Sequence, residues 1–252
     1  MRKIFSMIMV ALVALFATTS CKLAGGTDPN PNRKDNLLWS RVNDAINQHY
    51  NHAVAVAYLN DVLLERSYYI GDVYLPSDLK VEGDVYTLSY GSTNYARSYR
   101  IKTDGKRLDE GGVWTIYYRT STYTDYVQLG TATGFVGETS AFNLSIDNIE
   151  YASHYYAYCY AAESEIVYEY DNALDCLCLQ FNTFKGTISS TSSRSDYVID
   201  FEVVEPLVIR TSLEQGKIDI LYKDLVEKTN RFLRVEIADK MVTFVAPNDS
   251  NW

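Results

Sequence analysis

The chain is 252 residues long, 47% apolar and 22% charged, with 32 acidic against 23 basic side chains and a formal charge of −9. That balance argues against a nucleic-acid partner and against docking on anionic lipid by charge, because both need a basic face. Length alone allows one large β domain or two small ones.

Arg2 and Lys3 form a basic start, Ile4 to Ala17 is an apolar run broken only by Ser6, and Thr18, Thr19 and Ser20 lead into Cys21. This is the layout of a secretory signal over residues 1–20. At roughly 14 residues the run is shorter than the ~18 needed to cross a hydrocarbon core, so removal is expected rather than a membrane span. The stretch FATTSC resembles the lipobox of bacterial lipoproteins, in the loosened form of Bacteroidetes, with Thr18 where an aliphatic residue is commonest. The resemblance implies that the Cys21 thiol receives a diacylglycerol and becomes the new N-terminus. Two or three acyl chains anchor firmly, at roughly 0.8 kcal/mol per buried methylene. Lys22, in place of the Asp that retains lipoproteins at the inner membrane, implies the outer membrane; the cell surface and the periplasmic face stay open. Ordinary secretion with Cys21 as a plain thiol is the competing reading.

Residues 21–35 are rich in Gly, Pro, Asn and charge, without apolar periodicity, and read as a tether that cannot offset its chain entropy by burial. From Asn36 the apolar residues Leu38, Val42, Ala45, Ile46 and Tyr50 recur at helical spacing, with Asp35 or Asn36 as N-cap. Ala53 to Arg66 is apolar nearly all round and reads as a second helix or a buried strand, its Leu, Ala and Glu content favouring helix. The N-terminal helical segment thus spans 36–66.

After Ser67 short runs of Thr, Tyr and Val alternate with turn signals every 8 to 12 residues or so, the pattern of an antiparallel β architecture. The fold class expected is mainly β (α+β). Gly71-Asp-Val-Tyr74 recurs as Gly83-Asp-Val-Tyr86, and Gly-Asp before a β run is turn chemistry rather than a ligand motif. A longer self-similarity joins Tyr99–Tyr118 to Leu207–Tyr222: Ile101, Glu110, Gly112, Trp114, Ile116 and Tyr118 match Ile209, Glu214, Gly216, Ile218, Ile220 and Tyr222. Each copy reads as a strand, a turn and a return strand with the apolar set on one face. Two related β units follow, 67–150 and 151–252, or two hairpins that converged on the same chemistry.

Three cysteines remain after Cys21. Cys176 and Cys178 fall on one face of a strand, and the simplest readings are core filling or one disulfide joining Cys159 to either. The 22 tyrosines against nine phenylalanines suit a sheet with one wet face, where a ring packs and its hydroxyl meets water. They also suit a platform for sugars or a partner protein, and the candidate ligand-binding residues are Tyr95, Tyr99, Tyr123 and Tyr126. Trp114 belongs to the apolar face of its hairpin and reads as core. His49 and His52 share a helix face without a third ligand, so they read as helix-end histidines and no metal or cofactor is expected. Glu163, Glu165, Glu169 and Asp171 share one strand parity and read as a solvated face; calcium would need a ligand loop that is absent. No nucleophile elbow, phosphate loop or dinucleotide fingerprint occurs.

The function expected is a lipid-anchored envelope protein without catalytic activity, binding a glycan or an envelope protein, with the membrane as partner through its anchor. The alternatives are a structural or adhesin-like subunit, and a glycoside hydrolase using carboxylates such as Glu165 and Glu169.

Overall fold

The computed structural model describes residues 33–66, 76–90, 97–120, 125–152, 157–171, 176–190, 197–210 and 212–245. Residues 1–32 with the expected leader and Cys21, the first GDVY copy, Tyr95 and Tyr123 lie outside them. Helix α1 (Arg33–Leu63) is followed by twelve strands: β1 (Asp78–Glu82), β2 (Val85–Tyr90), β3 (Arg97–Lys102), β4 (Val113–Thr120), β5 (Val127–Gly134), β6 (Ala141–Ala152), β7 (Ala157–Asp171), β8 (Cys176–Ser190), β9 (Tyr197–Ile209), β10 (Leu213–Asp224), β11 (Thr229–Ala238) and β12 (Met241–Val245). The strands form one 12-stranded antiparallel sheet in chain order, with β1 and β12 at its edges. The mainly β fold expected from the sequence is what the chain adopts.

The helix is one element of 31 residues where the sequence suggested two, and it begins at Arg33, inside the expected tether. Nothing between Tyr50 and Ala53 breaks it: the connecting residues are Asn51 and His52, and neither Gly nor Pro intervenes. Its middle, His52 to Ala57, is buried at every residue, so the sheet encloses it on all sides. That is what an all-round apolar stretch requires. The inner sheet face supplies Leu88, Ile101, Trp114, Ile116, Phe142, Leu144, Ile166, Phe181, Phe184, Ile199, Phe201, Ile218, Ile220 and Val235, packed with the helical residues in a single core.

Alternation fixes register: along β7, Tyr160, Ala162, Ser164, Ile166 and Tyr168 are buried while Glu163, Val167 and Glu169 are exposed. The Glu163 row is an outer face, as its spacing indicated. Close approaches shape the sheet where side chains are missing. A Cβ on Gly130 would lie 1.9 Å from the Ser145 carbonyl oxygen, so only glycine lets β5 and β6 come together there. The second GDVY copy is a turn, with Gly83 at φ +64° between Glu82 and Val85, which face each other.

The two self-similar segments are both hairpins, β3–β4 and β9–β10, with Trp114, Ile116, Ile218 and Ile220 all turned inward and buried. Their registers differ. Ile101 faces Ile116, whereas Ile209 faces Leu213 and Ile220 faces Phe201, with three register shifts near Gly216. The boundary expected at 150/151 falls inside β6, and the sheet continues through it into β7. The described strands of both expected units therefore belong to one continuous sheet.

Candidate functional site

Polar groups on the helix meet hydroxyls on the inner sheet face. His49 Nε2 lies 2.7 Å from Ser164 Oγ and its Nδ1 2.9 Å from the Tyr160 hydroxyl; His52 Nδ1 lies 2.9 Å from the Tyr99 hydroxyl. Asn60 Nδ2 donates to the Tyr168 hydroxyl at 2.7 Å, which itself donates to Asp61 Oδ1 at 3.0 Å, and Tyr50 donates to the Arg210 carbonyl at 2.6 Å. Burial pushes His49 down to about 3 and His52 well below the usual 6.5, so both are neutral. The Tyr168 phenol is raised by burial and by the Asp61 charge. These histidines sit in mid-helix, not at its end, and they act as pegs that set the helix in the sheet.

The tyrosines follow the same logic. Tyr90, Tyr99, Tyr118, Tyr160, Tyr168 and Tyr197 are all buried, and the hydroxyls of Tyr99, Tyr160 and Tyr168 meet helix side chains rather than a solvated sheet face. Tyr99, a candidate ligand residue, is 1% exposed and cannot offer its ring to a surface ligand. Tyr126 is half-buried on the outside, with Arg100 and Arg119 at 4.3 and 4.7 Å from its ring centre and its hydroxyl 2.7 Å from Ser98 Oγ. Its ring is occupied by cations. Trp114 is core, as expected, and its indole N–H reaches the Lys106 carbonyl at 2.9 Å.

The disulfide expectation fails on register. Cys159 faces Ser189 while Cys176 faces Asp171, twelve residues further along β7 and so roughly 40 Å away at ~3.3 Å per residue. None of the three described cysteines is in a disulfide. Cys176 and Cys178 are buried near Arg210, which pairs with Asp171 and Glu214. Burial raises the Cys178 thiol despite the Arg210 charge, which makes it a poor nucleophile.

The outer face of β6 to β10 holds the candidate site, a groove of about 660 Å³. Outward-pointing residues line it strand by strand: Ser145 and Asp147, Ala161 and Glu163, Lys185 and Thr187, Asp200 and Glu202, Asp219 and Leu221, with Phe232 of β11 at one side. A neighbouring hollow of about 520 Å³ extends it toward Thr131, Thr133 and Asn143 and shares Ser145, Glu163, Lys185 and Glu202. The pairing is irregular between Ile146 and Ile149 of β6 and between Phe181 and Lys185 of β8, and such interruptions bend a strand locally.

Ion pairs fix the lining. Lys185 binds Glu163 at 3.1 Å, Lys223 and Thr187 hold the two oxygens of Asp200 at 2.6 and 2.9 Å, and Arg234 grips Asp219 through two bonds of 2.6 Å. The bond to Asp219 raises the Arg234 guanidinium further. Asp147 and Glu202 are exposed and have no ion pair among the described residues, which leaves the groove acidic. It offers carboxylate and hydroxyl acceptors, one ammonium, and the flanks of Leu221 and Phe232. The histidines described here lie inside the sheet, away from it, and no group of three metal-binding side chains occurs among the described residues. Glu165 and Glu169 stand four residues apart on β7, about 13 Å along the strand, against the roughly 5 to 10 Å that paired glycosidase carboxylates require.

Sequence reasoning placed Glu163 on the outer face but did not assemble the groove, because its walls come from strands scattered between 145 and 232. The available signal was the polar alternation of Asp147, Glu163, Lys185, Thr187, Asp200 and Asp219. No family model, curated protein or solved structure matches the chain.

Proposed function

We propose that the protein is a non-catalytic binding protein of the cell envelope, anchored in the outer membrane through lipid on Cys21, that takes a glycan in the groove of β6 to β10. The observation that supports this reading is the groove's lining: carboxylates and hydroxyls held in place by Lys185, Lys223 and Arg234, beside the apolar edges of Leu221 and Phe232. Fixed acceptors bind sugar hydroxyls with little ordering cost, and apolar side chains cover the C–H faces of a pyranose. The acidic groove disfavours polyanions, including nucleic acid.

A glycan array followed by calorimetry with the full chain tests the reading. Asp200→Ala combined with Lys185→Ala is expected to lower glycan affinity roughly tenfold or more, as loss of one or two fixed polar contacts does. Tyr126→Ala is expected to leave it unchanged. Absence of any glycan binding, with a stoichiometric protein partner instead, would favour a structural subunit; release of cleaved sugar would make the protein a hydrolase. Cys21→Ser is expected to move the chain from the membrane fraction to the soluble one.

A further inference from the structure

The helix enters the sheet beside the β10–β11 turn. Asp35 pairs with Arg231, and Arg41 lies 4.3 Å from the ring centre of Tyr197, which stacks on Tyr222 at 6.0 Å. Tyr197 faces Asp224, and Asp224 faces Thr229, so the first turns of α1 sit within a few residues of the segment 225–228. That segment carries Leu225 and Val226, 54% and 62% exposed, the only sequence-adjacent pair of exposed large apolar residues among those described. Asp224 Oδ1 accepts from the amides of Val226 at 3.0 Å and Glu227 at 2.8 Å, which fixes the turn as a projection. Lys223, Asp224, Glu227 and Lys228 cancel in charge around it.

The chain leading into the helix decides what this projection meets. Eleven residues lie between Cys21 and Arg33, so the twelve Cα–Cα steps that join them reach at most ~40 Å when extended. The helix is about 46 Å long at 1.5 Å per residue, so the opposite end of an upright molecule stands beyond the tether's reach. Exposed Val136 and Met241 lie at that far end, in or beside the β5–β6 and β11–β12 turns.

We infer that the Leu225–Val226 turn is a second membrane contact, seated in the headgroup boundary of the bilayer that the Cys21 lipid anchors. This rests on the lipid-anchored reading above. A lone lipid tether leaves the body free to tumble, whereas a tether plus an apolar tip sets one end down and turns the outer groove sideways to the membrane. The contact is apolar and uncharged, so it does not need anionic lipid.

The test uses the acylated full chain in phosphatidylethanolamine vesicles whose acyl chains are brominated, with Leu225→Trp, Val226→Trp and Val136→Trp each read against the wild-type background. Emission from the two turn positions is expected to shift to the blue and fall roughly twofold or more, as for a side chain at the acyl boundary, while Val136→Trp stays unquenched. Equal quenching at Val136, no quenching at the turn, or shielding of the turn without vesicles would each overturn the inference. Mass spectrometry of the same sample separates the two ideas. A bare Cys21 sinks the lipid anchor itself; an acylated chain with an unquenched turn sinks only the second contact.

Discussion

His49 and His52 carry the clearest residue-scale consequence. The unfolded chain takes up a proton on each near pH 6.5, but the fold keeps His49 neutral down to about 3 and His52 neutral well below 6.5. Their contribution to stability is therefore complete above pH 6.5 and falls as pH drops through that window, by about 2 kcal/mol for His49 at pH 5 and in the same direction for His52. Urea unfolding followed from pH 7 to pH 5 is expected to show a loss of about 2 kcal/mol or more, His52 adding to His49 in the same direction, and His49→Gln a shallower pH slope. A pH-independent midpoint over that range would contradict their burial as neutral groups. The role of these side chains was not legible in the sequence, because His49 meets Tyr160 and Ser164 more than 100 residues away, and His52 meets Tyr99 at a separation of 47. Tyrosine abundance was visible; its direction was not, since the inner face of a sheet turns polar only when the helix it covers offers polar partners.

Among the elements, α1 tolerates least. Ala53, Ala55 and Ala57 are fully buried with the sheet close on every side, so Ala55→Leu has nowhere to place three extra carbons. Overpacking of this kind costs about 1–3 kcal/mol or more, measurable as a lowered urea midpoint. Gly186 is similarly constrained, because a Cβ there would lie 2.5 Å from the Phe201 ring. The all-round apolar pattern of Ala53 to Arg66 left helix and buried strand both open and its Leu, Ala and Glu content favoured the helix, while the β texture after Ser67 announced the sheet. Hairpin self-similarity was real at the level of turn and face but did not extend to register, which bulges around Gly216 reset. The groove stayed hidden for a related reason: strand parity says which residues point outward, not which outward residues become neighbours.

At the scale of the molecule, the helix ties both halves of the chain into one unit. His52 is bonded to β3 and His49 to β7, so neither six-strand half keeps its core without the other. A fragment of residues 33–150 is expected not to fold, and the full chain to unfold in one transition that coincides by tryptophan fluorescence and circular dichroism. Two separated transitions would restore the two-unit picture that the sequence repeat suggested.

Strand order along the sheet equals order along the chain, and this has a bearing on biosynthesis. The element made first is covered last: Leu63 leaves the ribosome roughly 146 residues before Ile209 completes the strands that flank the helix. At about 5–20 residues per second that interval is on the order of 10–30 s, during which the stickiest segment of the chain has no shelter of its own. Substitutions that slow closure of β7 to β9 are therefore expected to show first as aggregation in the cell rather than as lost stability in the purified protein.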